Sequence, residues 1–397
     1  MRAVGAGSEK VNPRRAAALQ ALAAALRRVA YGPEGLRERL GVRYPDDVGL
    51  LNHVPALARC AGSAAADIAA RLFYLENPEP LAAVRRLFGA ADARALTEAG
   101  LLRATAGRVR ARLRVDVYGG LLLLADRRFA APDATALGLP RGDMVYPPGT
   151  DSVMLAEAVP AREGERVLDL CTGSGIQALQ VAPRAAGVTA VDIGVRAAAM
   201  ARCNAALNGI VGVTVRQGDL YAPVRGEQFD LVIANPPFVP ARRRGPAYHS
   251  GGPRGDRVLR RVIAGLEGHL RPGGRAVAIS HLALRRGETL QGAVAPWLRG
   301  FRGRALLVVI ERGTPIDLAA AQSLFALEQG LAAYGREVRE WLAYLHRHRI
   351  GEVVALLLVA ERGPRCSLEV LDGSPRSLPI PLSQPPAVMV TNWLAGS

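Results

Sequence analysis

Three carboxylates and a pair of glycines stand at intervals that suit a nucleotide-like ligand. Val167-Leu168-Asp169-Leu170 reads as a short buried strand. Cys171-Thr172-Gly173-Ser174-Gly175-Ile176-Gln177-Ala178 reads as the tight turn that carries it into a helix. Glycine lets a backbone approach a ligand closely, and the start of a helix offers N–H groups that no helical carbonyl takes. Gly173-x-Gly175-x-x-Ala178 also fits the fingerprint of dinucleotide enzymes, so the turn alone leaves an oxidoreductase open. Asp169 tips the balance, because a carboxylate at that strand end repels a pyrophosphate and attracts an α-ammonium group. Asp192 closes the next strand pattern, where it suits a pair of ribose hydroxyls, and Ile193 follows it. Asp219 comes after the third strand, placed for an adenine amino group, with Leu220 next.

A second constellation ends the fourth strand pattern, where Phe229-Asp230-Leu231-Val232-Ile233-Ala234 runs into Asn235-Pro236-Pro237-Phe238. The nitrogen of an amide or exocyclic amine is a poor nucleophile, since its lone pair is delocalised into a π system. Hydrogen-bond acceptors on its N–H groups turn that lone pair toward an electrophilic carbon. Orientation and in-line approach then supply most of the catalysis, with no strong general base. Two prolines remove local N–H donors and stiffen the turn, and Phe238 offers a flat face to a planar acceptor. Beyond it, Arg242-Arg243-Arg244 suits an anionic substrate, phosphate or carboxylate, or else forms a solvated loop.

The glycine turn with its three strand-end acids resembles the class I methyltransferases that bind S-adenosyl-L-methionine. Asn235-Pro236-Pro237-Phe238 resembles the N-P-P-[YF] signature of amino- and amide-methylating enzymes. That group includes HemK-like release-factor glutamine methyltransferases, adenine methyltransferases and RNA guanine methyltransferases. The resemblance covers about residues 145–360. It implies an α/β fold with a Rossmann-like, seven-stranded sheet. It also implies a cofactor site of Asp169, Cys171, Thr172, Gly173, Gly175, Asp192, Ile193, Asp219, Leu220 and Asn235. The Asn235 side-chain oxygen and the Pro236 carbonyl would accept from the substrate nitrogen, and a glycine-rich segment (His249 to Asp256) would lead into the next helix. The sequence departs from the family at Cys171, which stands where the first glycine of G-x-G-x-G is expected.

The elements that must hold these residues follow from periodicity. Alternating strand and helix patterns from Arg166 to Ala360 indicate a doubly wound sheet. Upstream, helical patterns cover 15–31, 63–75, 80–87 and 92–102. Arg108, Arg110, Arg112 and Arg114 then alternate with apolar residues, which predicts one strand with an arginine face, turning at Gly119-Gly120 into 121–124. Helices followed by a basic hairpin are the order of a winged helix; a helical lid or dimerisation domain fits equally. The expected division is a recognition domain (1–140), a catalytic domain (145–362) and a proline-rich tail (363–397) lying extended.

Composition sets the outer bounds. The chain of 397 residues is 50% hydrophobic and carries a formal charge of +16, so it folds and attracts polyanions. Lys10 is its single lysine, a bias that points to a GC-rich genome and discounts part of that charge. Neither an apolar run of membrane-spanning length nor a secretory leader is evident, which predicts a cytoplasmic protein. The four cysteines are too dispersed for a disulfide framework or zinc site, and no metal is expected. The expected substrate is a nucleic-acid base or a protein glutamine, with a small-molecule amine or a cofactor-sensing nucleic-acid binder as the alternatives.

Overall fold

The computed structural model describes residues 11–42, 48–49, 52–128, 133, 136–242, 251–374 and 385–395. Its first part comprises α1 (Pro13–Arg28), α2 (Pro33–Leu40), α3 (His53–Arg59) and α4 (Ala65–Ala69), the last continued as a π-helical turn to Tyr74. Then come β1 (Glu79–Pro80), α5 (Leu81–Phe88), α6 (Ala90–Glu98), β2 (Leu102–Thr105), β3 (Arg108–Ala111), β4 (Arg114–Tyr118) and β5 (Leu121–Ala125). The α/β part begins with α7 (Thr150–Ala158), β6 (Arg166–Leu170), α8 (Ile176–Val181), β7 (Gly187–Asp192), α9 (Val195–Asn208), β8 (Val213–Gln217) and β9 (Phe229–Ala234). It continues through α10 (Arg257–His269), β10 (Leu270–Arg285), α11 (Leu290–Val294), β11 (Gly303–Gly313), α12 (Pro315–Ser323) and α13 (Leu331–Arg347). β12 (Ile350–Arg362), β13 (Ser367–Asp372) and α14 (Pro386–Ala395) complete it.

The chain divides into two compact units, Met1–Val153 with Thr172–Asp219, and Met154–Cys171 with Leu220–Ser397. This is not the division near residue 140 that the sequence suggests, and α9 is the reason. Leu19, Leu22 and Leu26 of α1 share one buried core with Met200, Cys203 and Leu207 of α9. Burying each such side chain is worth about 1.5–3 kcal/mol. Arg196 at the start of α9 is buried against Asp126, its Nε donating to Oδ2 at 2.8 Å. The same carboxylate accepts from the Val145 N–H at 2.9 Å, and Arg196 also donates to the Pro140 carbonyl at 3.2 Å. The stretch read as a linker is therefore clamped onto α9.

Within the first unit, α4, β1, α5, α6, β2 and β3 follow the order of a winged helix, and the strands form an antiparallel sheet ordered β1-β3-β2. Ala106 (φ 49°) and Gly107 (φ 75°) make the two-residue turn between β2 and β3. Gly119 (φ 49°) and Gly120 (φ 87°) make the expected turn between β4 and β5. Left-handed residues at both turn positions match the twist of the flanking strands. The expected arginine-faced strand is broken in two: β3 pairs with β2, whereas β4 pairs with β5. Only Arg108 and Arg110 stay exposed. Arg112 pairs with Asp133 at 2.6 Å, and Arg114 is buried over the Tyr74 ring with its Nε 2.8 Å from Asp116.

The second unit carries strands in the order β13-β11-β12-β10-β9-β6. β6, β9 and β10 run parallel, and β12 is antiparallel to both β10 and β11. Their apolar runs are buried on both faces, as a helix-covered sheet requires. The expected extended tail is partly ordered instead: β13 adds an edge strand parallel to β11, and α14 buries Val390 and Trp393. The first unit holds the remaining parallel pair, β7 with β8.

Removing one partner of a buried ion pair costs about 3–5 kcal/mol, while exposed pairs contribute about 0–1 kcal/mol. Asp126→Asn is accordingly expected to lower the denaturant midpoint sharply. Arg166→Gln, which breaks an exposed pair with Glu227 at 3.4 Å, should leave it nearly unchanged.

Candidate active site

In the first unit the glycine turn is assembled around Asp192. One carboxylate oxygen accepts from the Gly173 N–H at 2.9 Å, and the other from the Gly194 N–H at 2.8 Å. The Asp192 carbonyl accepts from Gly218 at 2.8 Å, which fastens the end of β8 just before Asp219. Thr172 donates to Val191 at 3.1 Å, and Gly175 closes the turn by donating to Thr172 at 2.8 Å. Gly173 and Gly175 have φ of 55° and 89°, conformations that glycine adopts without strain. A Cβ at Gly173 would point into open space, so that position leaves room for a ligand. Burial raises the Asp192 pKa above the ordinary aspartate value, against the pull of its two backbone N–H donors. Ile193 follows as an exposed apolar side chain at 55% accessibility, an available platform for a flat ring.

Sequence reasoning missed the residue that fastens this turn. Asn204 is buried in α9. Its Oδ1 accepts from the Leu124 N–H at 2.7 Å, while its Nδ2 donates to the Leu124 carbonyl at 2.9 Å and to the Ser174 carbonyl at 2.8 Å. One helical turn later, Asn208 treats Leu122 alike, at 2.9 and 2.7 Å. The two amides replace a neighbouring strand along the free edge of β5, satisfying groups that would be costly to bury unpaired. Two asparagines at i and i+4 in an alanine-rich helix are the only signal the sequence offers.

In the second unit, parallel pairing sets Asp169 beside Ile233 and Leu170 beside Ala234. The strand ends that lead into Cys171 and Asn235 are therefore level. Asp169 is fully buried and Asn235 half-buried. Cys171 holds φ 59°, the left-handed region that favours glycine, which accounts for the family's preference there. Phe238 stacks on His281 of β10, with ring centroids 4.3 Å apart and 23° between planes. One face of its ring is thus already taken. Gly251 donates to the Val239 carbonyl at 2.9 Å, and Ala241 to Gly252 at 2.8 Å. A Cβ at Gly255 would overlap the Phe238 carbonyl oxygen. The end of the glycine-rich segment therefore holds the Asn-Pro-Pro-Phe turn from below. Tyr344 of α13 seals it by donating to the Pro253 carbonyl at 2.7 Å.

Arg242 does not stand ready for an anionic substrate. It pairs with Glu337 and Glu340 of α13, with its guanidinium 5.3 Å from the centroid of the Trp341 ring. Arg243 and Arg244 lie outside the described residues. Among the described residues, no group of His, Cys, Asp and Glu could hold a metal ion, and no helix is long and apolar enough to cross a membrane.

Parallel strands that lead into a glycine turn, and one that leads into Asn-Pro-Pro-Phe, fit the class I methyltransferase fold. Residues 149–295 match the model of the methyltransferase small domain, and residues 28–112 match a domain of unknown function, DUF7059. A release factor glutamine methyltransferase of Moorella thermoacetica is 34% identical over 50% of this chain and 66% of its own length. A Methanocaldococcus jannaschii protein provisionally named a protein N5-glutamine methyltransferase is 31% identical over 33% of this chain and 68% of its own. A tRNA1(Val) (adenine(37)-N6)-methyltransferase of Aeromonas salmonicida is 31% identical over 34% of this chain and 60% of its own. The chain belongs to the small-domain, HemK-like methyltransferases. It spans just under two thirds of the length of the Moorella relative.

Two measurements test this geometry. Asn204→Leu and Asn208→Leu each strip β5 of two hydrogen bonds, but only Asn204→Leu frees the Ser174 carbonyl. Both should lower the melting temperature, and only the first should also weaken binding of S-adenosylhomocysteine in calorimetry. An Asp192 that acts as an anionic acceptor binds at neutral pH and loses affinity as pH falls through its raised pKa. The affinity step should therefore lie above the ordinary aspartate range and vanish in Asp192→Ala.

Proposed function

We propose that the protein methylates the nitrogen of an amide or exocyclic amine in a macromolecule, a protein glutamine or a nucleic-acid base. The observation that carries this reading is the Asn235-Pro236-Pro237-Phe238 turn at the end of β9, level with the strand that bears Asp169. S-adenosylmethionine supplies an electrophilic methyl group when bound. The residues present suit such a ligand: an open glycine turn, a buried carboxylate in Asp169, and a carboxylate in Asp192 whose oxygens keep lone pairs beyond those taken by Gly173 and Gly194.

Asp169 would attract the α-ammonium of S-adenosylmethionine, Asp192 would accept from its ribose hydroxyls, and Asp219 would accept from its adenine amino group. Ile193 and Leu220 would hold the base, and Cys171, Thr172, Gly173 and Gly175 would offer backbone to the amino-acid end. Asn235 and the Pro236 carbonyl would accept from the two N–H groups of the substrate nitrogen and turn its lone pair toward the methyl donor. Pro237 keeps the turn rigid. Phe238, its back against His281, offers its other face to the planar substrate group. The glutamine and adenine specificities in the relatives' names belong to those proteins, and both are amide or exocyclic-amine chemistry.

Asn235→Ala is expected to reduce kcat by roughly a hundredfold or more while leaving S-adenosylhomocysteine affinity nearly intact, the mark of a group that acts on the substrate. Asp192→Ala should do the reverse. Loss of cofactor affinity in both variants, with kcat unchanged at saturation, would overturn the assignment.

A further inference from the structure

We infer that the outer face of the β1-β3-β2 sheet is a docking surface for the phosphate backbone of a nucleic-acid duplex. The inference is read from the first unit alone and does not depend on methyl transfer. In the antiparallel register Arg103 stands directly opposite Arg110, and Thr105 opposite Arg108. Directly opposed residues share a face, so these three arginines form one group, while Val109, Ala111 and Leu102 point into the core. β1 adds Pro80 opposite Arg108. The carboxylate of β1, Glu79, is turned inward to Arg71, which it meets at 2.7 Å. Among the described residues of the three strands the outer face therefore carries no carboxylate.

Arg108 also donates to the Pro78 carbonyl, and several arginines elsewhere in the first unit are committed to acids. Arg39, Arg71, Arg112, Arg114 and Arg196 each meet an acidic partner. Like charges set directly opposite on a sheet destabilise it. Arg103 and Arg110 pay that penalty on an exposed face, which a row of phosphates relieves. Guanidinium forks match phosphate geometry bidentately. A two-stranded ribbon with a two-residue tip can enter the major groove of DNA or lie on the shallow minor groove of RNA. Arg94 of α6, the helix before β2, is exposed as well.

The test compares the full chain with the variant Arg103→Gln/Arg108→Gln/Arg110→Gln and with a control of equal charge, Arg299→Gln/Arg336→Gln/Arg339→Gln, whose sites are exposed in the second unit. Fluorescently labelled RNA and DNA duplexes of random sequence are titrated over a salt series, with melting temperatures measured in parallel. The sheet variant should bind at least tenfold more weakly. Its slope of log K against log salt should be shallower by about 2–3, at roughly 0.9 for each phosphate no longer neutralised, and its melting temperature unchanged or raised. The control should bind as the parent does, and the tighter of the two duplexes identifies the natural backbone. Equal loss in the control would reduce the effect to net charge and overturn the inference. Absence of duplex binding would overturn it too, as would tighter binding to polyglutamate, which would make the surface one for acidic proteins.

Discussion

A single buried amide links the two kinds of structure in the first unit. Asn204 completes the hydrogen bonding of Leu124 and at the same time holds the Ser174 carbonyl of the glycine turn. Asn208 repeats the first half of that task one helical turn on, and the α1 leucines pack against the neighbouring positions of α9. Remove the amide, and the β4-β5 ribbon faces the helix with unpaired backbone groups while the turn loses its anchor. The compact unit that joins the N-terminal helices to Thr172–Asp219 follows from this bond and from the Arg196–Asp126 clamp.

The arginines show how one residue type serves opposite physical ends. Arg114 and Arg196 are buried, and their planar forks are matched to carboxylates and carbonyls. Arg242 is held by two glutamates and an indole ring. Arg103 and Arg110 face each other in the open. Formal charge and arginine content are identical inputs in all these cases, so composition alone could not have separated structural cations from those available to a partner.

The parts of the site that depend on local chain geometry were legible in the sequence. Strand patterns at 166–170, 188–192 and 230–234 end where β6, β7 and β9 end, because the glycine turn, Gly194 and Asn235-Pro236-Pro237 that follow them are themselves turn formers. Asn235-Pro236-Pro237-Phe238 needed only its position after a strand to be read. What depends on distant partners was not legible. The arginine alternation continues through residue 114, but Arg114 is taken into the interior by Glu76, Asp116 and the Tyr74 ring. His281 and Tyr344 reach the Phe238 turn from β10 and α13, far along the chain. The proline-dense tail concealed β13, whose pairing with β11 is set by the sheet rather than by its own six residues.

The central claim is that the Asn235 turn presents a macromolecular nitrogen to a methyl donor. Its most direct test is transfer of labelled methyl from S-adenosylmethionine into an extract of the cells that make the protein, separated into RNA, DNA, protein and small-molecule fractions. The extract would come from a strain lacking the gene, so that the acceptor sites are unmethylated. Label is predicted in one macromolecular fraction, stable to mild base as an N-methyl group is, and absent with Asn235→Ala. Label confined to the small-molecule fraction would contradict the account.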